Sequence, residues 1–489
     1  MSSKPPTVAA PTLPALFHTA PGRLLMVAAF TVLLAITGAI AWPAVAAILV
    51  LTSIFPQHRR VFLTLATIAV IVVSPPLDLD TLAEIGDARE AQAWLLAWPL
   101  VVVAILAGAC GFVHAVQRSP QSLVGRRPVL ILLAALTALL VASAHAPLRG
   151  GPWFLVTSSA MILGSYVWFF AYAASESKLR GARLATEQLG YWRPFWGFSN
   201  VPLGKGSAYL ERVEAKNNEQ LARSQWRGLA LMTWAAVVIF AMDLFGRSVY
   251  APFGRDQGIA ALVLGWIPAE GLPRIAQVLE RQVQGNPYPF ELRWASVVAE
   301  FVLSVLHMMA WGHPIMATCR MAGFDAASNT DRPLLSTSVA EFYNRFYFYF
   351  KELLATFFFY PTYFRYFRAW PQLRLFTATL AAAGAGNFLF HFYRDSHQIV
   401  SLGMWKALVA YQVYGVYALL LGVAVGVSQI RLSARGRRKP TGFRRVVATG
   451  AVIVFYGLLN VLDAPSPYPI GQYAALYLSL LQPGSGVLP

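Results

Sequence analysis

Residues 93–116 read AWLLAWPLVVVAILAGACGFVHAV, twenty-four positions without one Asp, Glu, Lys or Arg. A helix needs about 20 predominantly apolar residues to cross the hydrocarbon of a bilayer, so this stretch decides the fold class. Working outward, similar runs occupy 24–42, 61–74, 129–146, 153–174, 228–246, 294–317, 373–392, 405–428 and 446–462. A shorter run at 43–56 opens on Pro43, and weaker candidates lie at 259–267 and 470–482. Hydrophobic residues form 57% of the 489-residue chain and charged ones 12%, with a mean hydropathy of +0.53. A soluble domain carries about 25% charged residues, so this surface must meet lipid. The expectation is an all-α polytopic membrane bundle of about 10–12 transmembrane helices, with in-plane or re-entrant helices around a central cavity.

The net charge of +17 could suggest a nucleic-acid partner, but its distribution argues against one. Loop 430–445 carries seven basic residues and no acid, and 176–227 carries nine against five acids. His58-Arg59-Arg60 and Arg118/Arg126/Arg127 mark two further basic loops, whereas 75–92 holds five acids and one arginine. Lys and Arg concentrate in cytoplasmic loops of membrane proteins. Alternating sides follow if 340–361 does not cross fully. The expected location is therefore the cytoplasmic (inner) membrane, multi-pass, with membrane lipid as a partner and no nucleic acid. The Pro-rich start precedes a run with no small-residue cleavage site after it, which predicts a retained tail rather than a removed signal.

Four regions follow: a flexible tail at 1–23, a transmembrane scaffold at 24–175, a cytoplasmic aromatic and charged loop at 176–227, and a C-terminal transmembrane core at 228–489. The loop contains Tyr191-Trp192-Arg193-Pro194-Phe195-Trp196-Gly197 and Gly204-Lys205-Gly206. The latter is too short for a phosphate loop, which leaves structural cover or donor contact as its readings. Cys110 and Cys319 sit in or beside apolar runs and offer neither a disulfide framework nor zinc spacing. No metal site is expected.

The first six apolar runs carry almost no ionisable groups; in the C-terminal part such groups gather within the runs. Glu300 and His307 lie seven apart and share a helical face, with His313 further along. Such groups are costly at membrane depth and normally face a cavity or one another. A satisfied Glu–His contact and a catalytic pair both fit. Segment 342–361 is dense in Phe and Tyr but broken by Asn344, Arg345, Lys351 and Glu352. A lipid-facing spanning helix would not tolerate them; a re-entrant helix lining a polar cavity, or an amphipathic interfacial one, would. Farther on, GAGNFLFHFYRDSH (384–397) places Asn387, His391 and Asp395 four apart, with Arg394 beside them. If 387–395 is helical, one face holds all three, and a carboxylate one turn away can fix an imidazole tautomer.

Residues 320–361, RMAGFDAASNTDRPLLSTSVAEFYNRFYFYFKELLATFFFYP, resemble the signature region of the membrane-bound O-acyltransferase family, in its bacterial polysaccharide and teichoic-acid acylation branch. The matching elements are Gly323-Phe324, Asn329, Pro333, Ser336/Ser338, Glu341-Phe342-Tyr343-Asn344-Arg345, Lys351-Glu352 and Tyr360-Pro361. The resemblance covers about 290–460 and implies a transferase moving an acyl group from a thioester to a hydroxyl of a glycan, lipid or other exported acceptor. It implies His391 as general base, Asn344 as oxyanion donor, and supporting roles for Asn387, Asp395, Arg394, Arg345, Tyr343, Glu341, Lys351 and Glu352. No bound cofactor is implied; acyl-CoA or an acyl-carrier thioester would be the donor, with accessory export or acylation proteins as partners. The chain departs from the family in three places. His391 lacks flanking glycines, Tyr343 replaces a tryptophan, and Tyr411–Tyr417 offers tyrosines where many relatives have a second histidine. Two other classes fit the polar cavity: a transporter or flippase-type helper for a lipid-linked glycan, and an integral membrane glycosyltransferase.

Overall fold

The computed structural model describes residues 14–38, 42–73, 77, 82, 86–144, 152–176, 200–202, 207–250, 271–435, 440–463, 465–466 and 468–483. The aromatic run 191–197, the 204–206 triplet, the weak candidate 259–267 and half of the acidic loop, with Asp78, Asp80 and Glu84, lie outside these residues.

The described residues form helices and turns without a named strand; one isolated bridge joins Glu214 to Phe324. The helices used below are α1 (Ala20–Thr37), α2 (Trp42–Ile54), α3 (Arg59–Val73), α4 (Ala88–Arg118), α5 (Pro128–Ser143), α6 (Pro152–Glu176), α7 (Asn218–Val249), α8 (Phe290–Met321), α9 (Val339–Phe346), α10 (Phe348–Leu354), α11 (Tyr360–Arg365), α12 (Pro371–Thr379), α13 (Asn387–Arg394), α14 (Gln412–Arg435), α15 (Gly442–Asn460) and α16 (Ile470–Ser479). Eight helical spans are long and apolar enough to cross a membrane, α12 through α13 counting as one. Two shorter apolar helices, α2 and α5, accompany them. At 1.5 Å per residue these reach roughly 20–24 Å, short of the hydrocarbon thickness. The protein is an all-α polytopic membrane bundle, with fewer full-length spans among the described residues than the apolar runs suggest.

Local sequence sets the ends of these helices. Asp87 caps α4: its carboxylate accepts from Glu90 N, and the Glu90 side chain returns to Asp87 N, a reciprocal box that satisfies two orphan amides. Asn217 caps α7 through Gln220 N, and Ser338 caps α9 through Glu341 N. The longest packed pair is α7 against α8. At its basic end Ser224 Oγ donates to Arg320 O and the Gln225 amide donates to Met321 O.

The region expected to be re-entrant is broken into pieces. Tyr347 interrupts α9 and α10, a π-helical turn (Ala355–Phe359) separates α10 from α11, and a second (Leu380–Gly386) separates α12 from α13. Residues 348–365 run antiparallel to 371–394. Phe350 meets His391, Phe358 packs on Gly386, and Arg374 stacks on Tyr363. A Cβ on Gly386 would fall 2.6 Å from the Phe358 ring, so only glycine permits this approach. Helix α14 runs antiparallel to the second arm: Thr379 Oγ1 donates to Gln429, and Tyr414 reaches Asn387.

Candidate functional site

The motif residues at 323–345 mainly build a turn. Gly323 has φ 95°, and a Cβ there would sit 2.7 Å from Arg59 Cζ, so both backbone and space demand glycine. Its carbonyl accepts from Ala215 N (2.8 Å), and the buried Phe324 ring lies under the Arg59 guanidinium (5.7 Å). Asn329 holds the return of the chain: its carbonyl accepts from Phe348 N and its side-chain oxygen from Tyr349 N. Glu341 accepts from the Thr337 amide and hydroxyl and pairs with Arg345 at 3.0 Å. Lys351 pairs with Glu352 at 3.5 Å and lies over the Phe348 ring. Tyr343 joins the apolar cluster that contains Tyr417 and Tyr456. Asn344 is exposed, and its amide donates to Ala340 O within its own helix (2.8 Å). No hydrogen bond or ring contact joins Asn344 to His391.

His391 occupies the other pole of the hairpin. Its ring stands edge-on to Phe350 (centroids 5.6 Å apart) and Phe390 (5.2 Å) and is tilted over Tyr414 (4.8 Å). The side chain keeps accessible surface, and neither ring nitrogen is spent on a described protein partner. The N-terminal scaffold fixes the backbone around it. Ser165 Oγ donates to Arg394 O (2.7 Å), Ser396 Oγ donates to Met161 O (2.8 Å), and Thr137 bonds the Tyr393 hydroxyl (2.5 Å). Trp168 of α6 packs on Phe357, Phe358 and Phe390.

Asn387, His391 and Asp395 do line up towards α14, as their spacing predicts. Tyr414 donates to Asn387 Oδ1 (2.7 Å). Arg394 and Asp395 stand at the helix end, and no hydrogen bond joins Asp395 to the His391 ring. The helix ends at Arg394, and Asp395 forms a two-point pair with that arginine (Nε–Oδ1 2.6 Å, Nη2–Oδ2 2.8 Å). Tyr411, fully buried, places its hydroxyl 2.5 Å from Asp395 Oδ2 and 3.1 Å from His391 O. A phenol has one proton, and the charged acceptor binds it more strongly. Asp395 therefore anchors the end of α13 rather than the imidazole.

Two features escaped the sequence reading. The tyrosines at 411, 414 and 417 touch in series, the first pair edge-on and the second tilted, with centroid separations of 5.9 and 5.1 Å; their i, i+3 spacing was the available signal. Asp463, just beyond α15, interacts electrostatically with Arg394 and with Tyr414 and Tyr417. Loss of hydration among the surrounding protein pushes its pKa up to about 7, while Arg394 pulls it down. The side chain keeps an open face, and water there works against the rise.

Glu300 and His307 do not pair. Glu300 takes Arg274 at 2.5 Å, and His307 is exposed. No group of three His, Cys, Asp or Glu able to hold a metal ion occurs among the described residues.

Fold and site together define a multi-pass helical membrane protein with an accessible imidazole inside one span. No protein-family model matches the chain, and no curated protein matches it.

Proposed function

We propose that the protein is a membrane-embedded O-acyltransferase that uses His391 as general base. The supporting observation is an imidazole with free, accessible nitrogens within an apolar span, on a helix end held by α6, α14 and the Arg394–Asp395–Tyr411 cluster. A group so costly to place in a membrane is normally functional. The motif resemblance supplies the reaction class.

In the proposed reaction an acceptor hydroxyl gives its proton to His391 as its oxygen attacks the thioester carbonyl. The tetrahedral intermediate expels the thiolate, which recovers that proton from the imidazolium. The ester and the free thiol leave, and the base is regenerated. Asn344, bonded to Ala340 and without contact to the imidazole, is not assigned the oxyanion. His391 and Tyr411 lie at the end of the bundle away from Arg431, Arg444 and Arg445. With the basic end in the cytoplasm, the hydroxyl acceptor would be met on the outer side, as an exported glycan or lipid requires.

The test follows labelled acyl groups from acyl-CoA into membranes carrying wild type or His391→Ala at matched protein levels. Loss of transfer with intact folding supports the assignment; equal transfer by both removes the base.

A further inference from the structure

The turn between the two arms of the hairpin has no part in the chemistry above. Three arginines, Arg365, Arg368 and Arg374, crowd within ten positions, and no Asp or Glu occurs from 353 to 394. Two of them are held in the same way. Arg368 Nε donates to Phe364 O (3.0 Å) and Arg374 Nε donates to Tyr363 O (2.5 Å). Neighbouring carbonyls thus tether both guanidiniums by Nε and leave the Nη groups of each fork free. Arg374 also stacks on the Tyr363 ring at 3.8 Å, and Arg365 lies 5.5 Å over Tyr366. None of the three pairs with a carboxylate among the described residues. Like charges gathered on one turn without a counter-charge favour a bound anion.

The same turn projects aromatic surface. Phe367 adopts φ 51°, a left-handed conformation that is an outlier for a bulky residue. Phe367 and Trp370 are both exposed, and their rings stack at 6.4 Å. The turn sits at the end of the bundle that carries Arg431, Arg444 and Arg445, because α12 runs antiparallel to α14. Aromatic rings of this kind settle at the headgroup level of a bilayer, where the local anion is a lipid phosphate.

We infer that the turn from Tyr360 to Arg374 is a binding site for an anionic phospholipid. Its phosphate is gripped by the free guanidinium edges of Arg368 and Arg374, with Arg365 adding charge. Phe367 and Trp370 seat in the adjoining headgroup layer. A planar fork matches phosphate oxygens at two points, so tethered arginines favour a seated lipid over diffuse attraction. Ligand and location are independent of the acyl-transfer reading, since the site lies at the opposite end of the hairpin from His391.

The test uses the full chain in mild detergent, offered phosphatidylglycerol, phosphatidylcholine or inorganic phosphate, with retained lipid counted by native mass spectrometry. Phosphatidylglycerol should be retained over phosphatidylcholine. The combined Arg365→Gln, Arg368→Gln, Arg374→Gln variant should bind it about 100-fold more weakly, roughly 5-fold per arginine. Arg365→Gln alone removes no hydrogen bond and guards against misfolding; it should give the single 5-fold step. An Arg431→Gln, Arg444→Gln, Arg445→Gln variant removes the same charge nearby and should retain the lipid. Equal losses in both triple variants would reduce the site to a general positive field and overturn the proposal. So would equal retention of the two lipids, or complete displacement by inorganic phosphate.

Discussion

Three histidines lie inside membrane spans of the C-terminal core; His307 is exposed, and the other two have opposite surroundings. His313, on α8, is buried; its Nε2 stands 3.4 Å from Thr330 Oγ1, and its Nδ1 has no partner and no access to solvent. His391, on α13, keeps accessible surface, with its nitrogens unspent. The sealed ring sits beside the motif that led to a transferase reading, the open one some eighty positions further along. Position within an apolar run therefore does not separate a structural imidazole from a reactive one. Access and unspent nitrogens are what the proposed base requires, because a base must reach the proton it takes.

The largest expected effect tests that contrast directly. His391→Ala should lower acyl transfer by about 10²–10⁴-fold, the usual contribution of general-base help. The thermal midpoint should fall only modestly, because the ring makes no hydrogen bond that its loss would orphan and gives up only its contacts with Phe350, Phe390 and Tyr414. Label transfer beside a melting curve in detergent separates the two readouts. If the melting curve collapses as well, the open histidine acts through packing rather than as a base.

A second effect concerns how the open ring is held. Tyr411→Phe removes the hydroxyl from Asp395, a hydrogen bond to a charged group worth about 1.5–3 kcal/mol. A smaller drop in transfer than that of His391→Ala is expected, together with a clear loss of stability. A drop in rate as large as that of the base itself would move Tyr411 from positioning residue to reacting group.

The contrast also shows how far the sequence carries. Apolar runs place the spanning helices because length and absence of charge are properties of the run itself. The hairpin could be anticipated, since Asn344, Arg345, Lys351 and Glu352 cannot sit in lipid. Its π-turns could not: residues 380–386 read as a string of small residues, and the wider turn arises where Phe358 must fit against Gly386. Within the site, the shared face of Asn387, His391 and Asp395 followed from spacing. The fate of Asp395 did not, because it depends on Tyr411 sixteen positions away. Asp463 was invisible for the same reason, being brought to Arg394 only by the packing of α14 and α15.

A third, smaller effect concerns that unforeseen carboxylate. The folded-state pKa of Asp463 is raised above its ordinary 3.8. Just above that value the folded protein holds a proton that the unfolded chain has released. Stability from this group is therefore present at low pH and lost as pH rises from about 4 through the raised folded value. Asp463→Asn should flatten that slope in melting points recorded across the window and leave the acid side little changed. An unchanged slope would show that the carboxylate is as well hydrated when folded as when unfolded.

The smallest expected effect falls on the sealed histidine. His313→Leu replaces a buried ring carrying one orphaned nitrogen and one long hydrogen bond with an apolar side chain. Leaving a buried polar atom unsatisfied costs about 1–3 kcal/mol. Its removal offsets the lost contact to Thr330, whose hydroxyl is then left without that partner. The net change in stability should be near zero, and acyl transfer should stay within about a factor of three of wild type, because the ring has no route to a substrate proton. The same label assay and melting curve used for His391→Ala decide it. A large fall in transfer with unchanged melting would mean that the reacting pocket opens onto α8, and the roles of the two histidines would have to be exchanged.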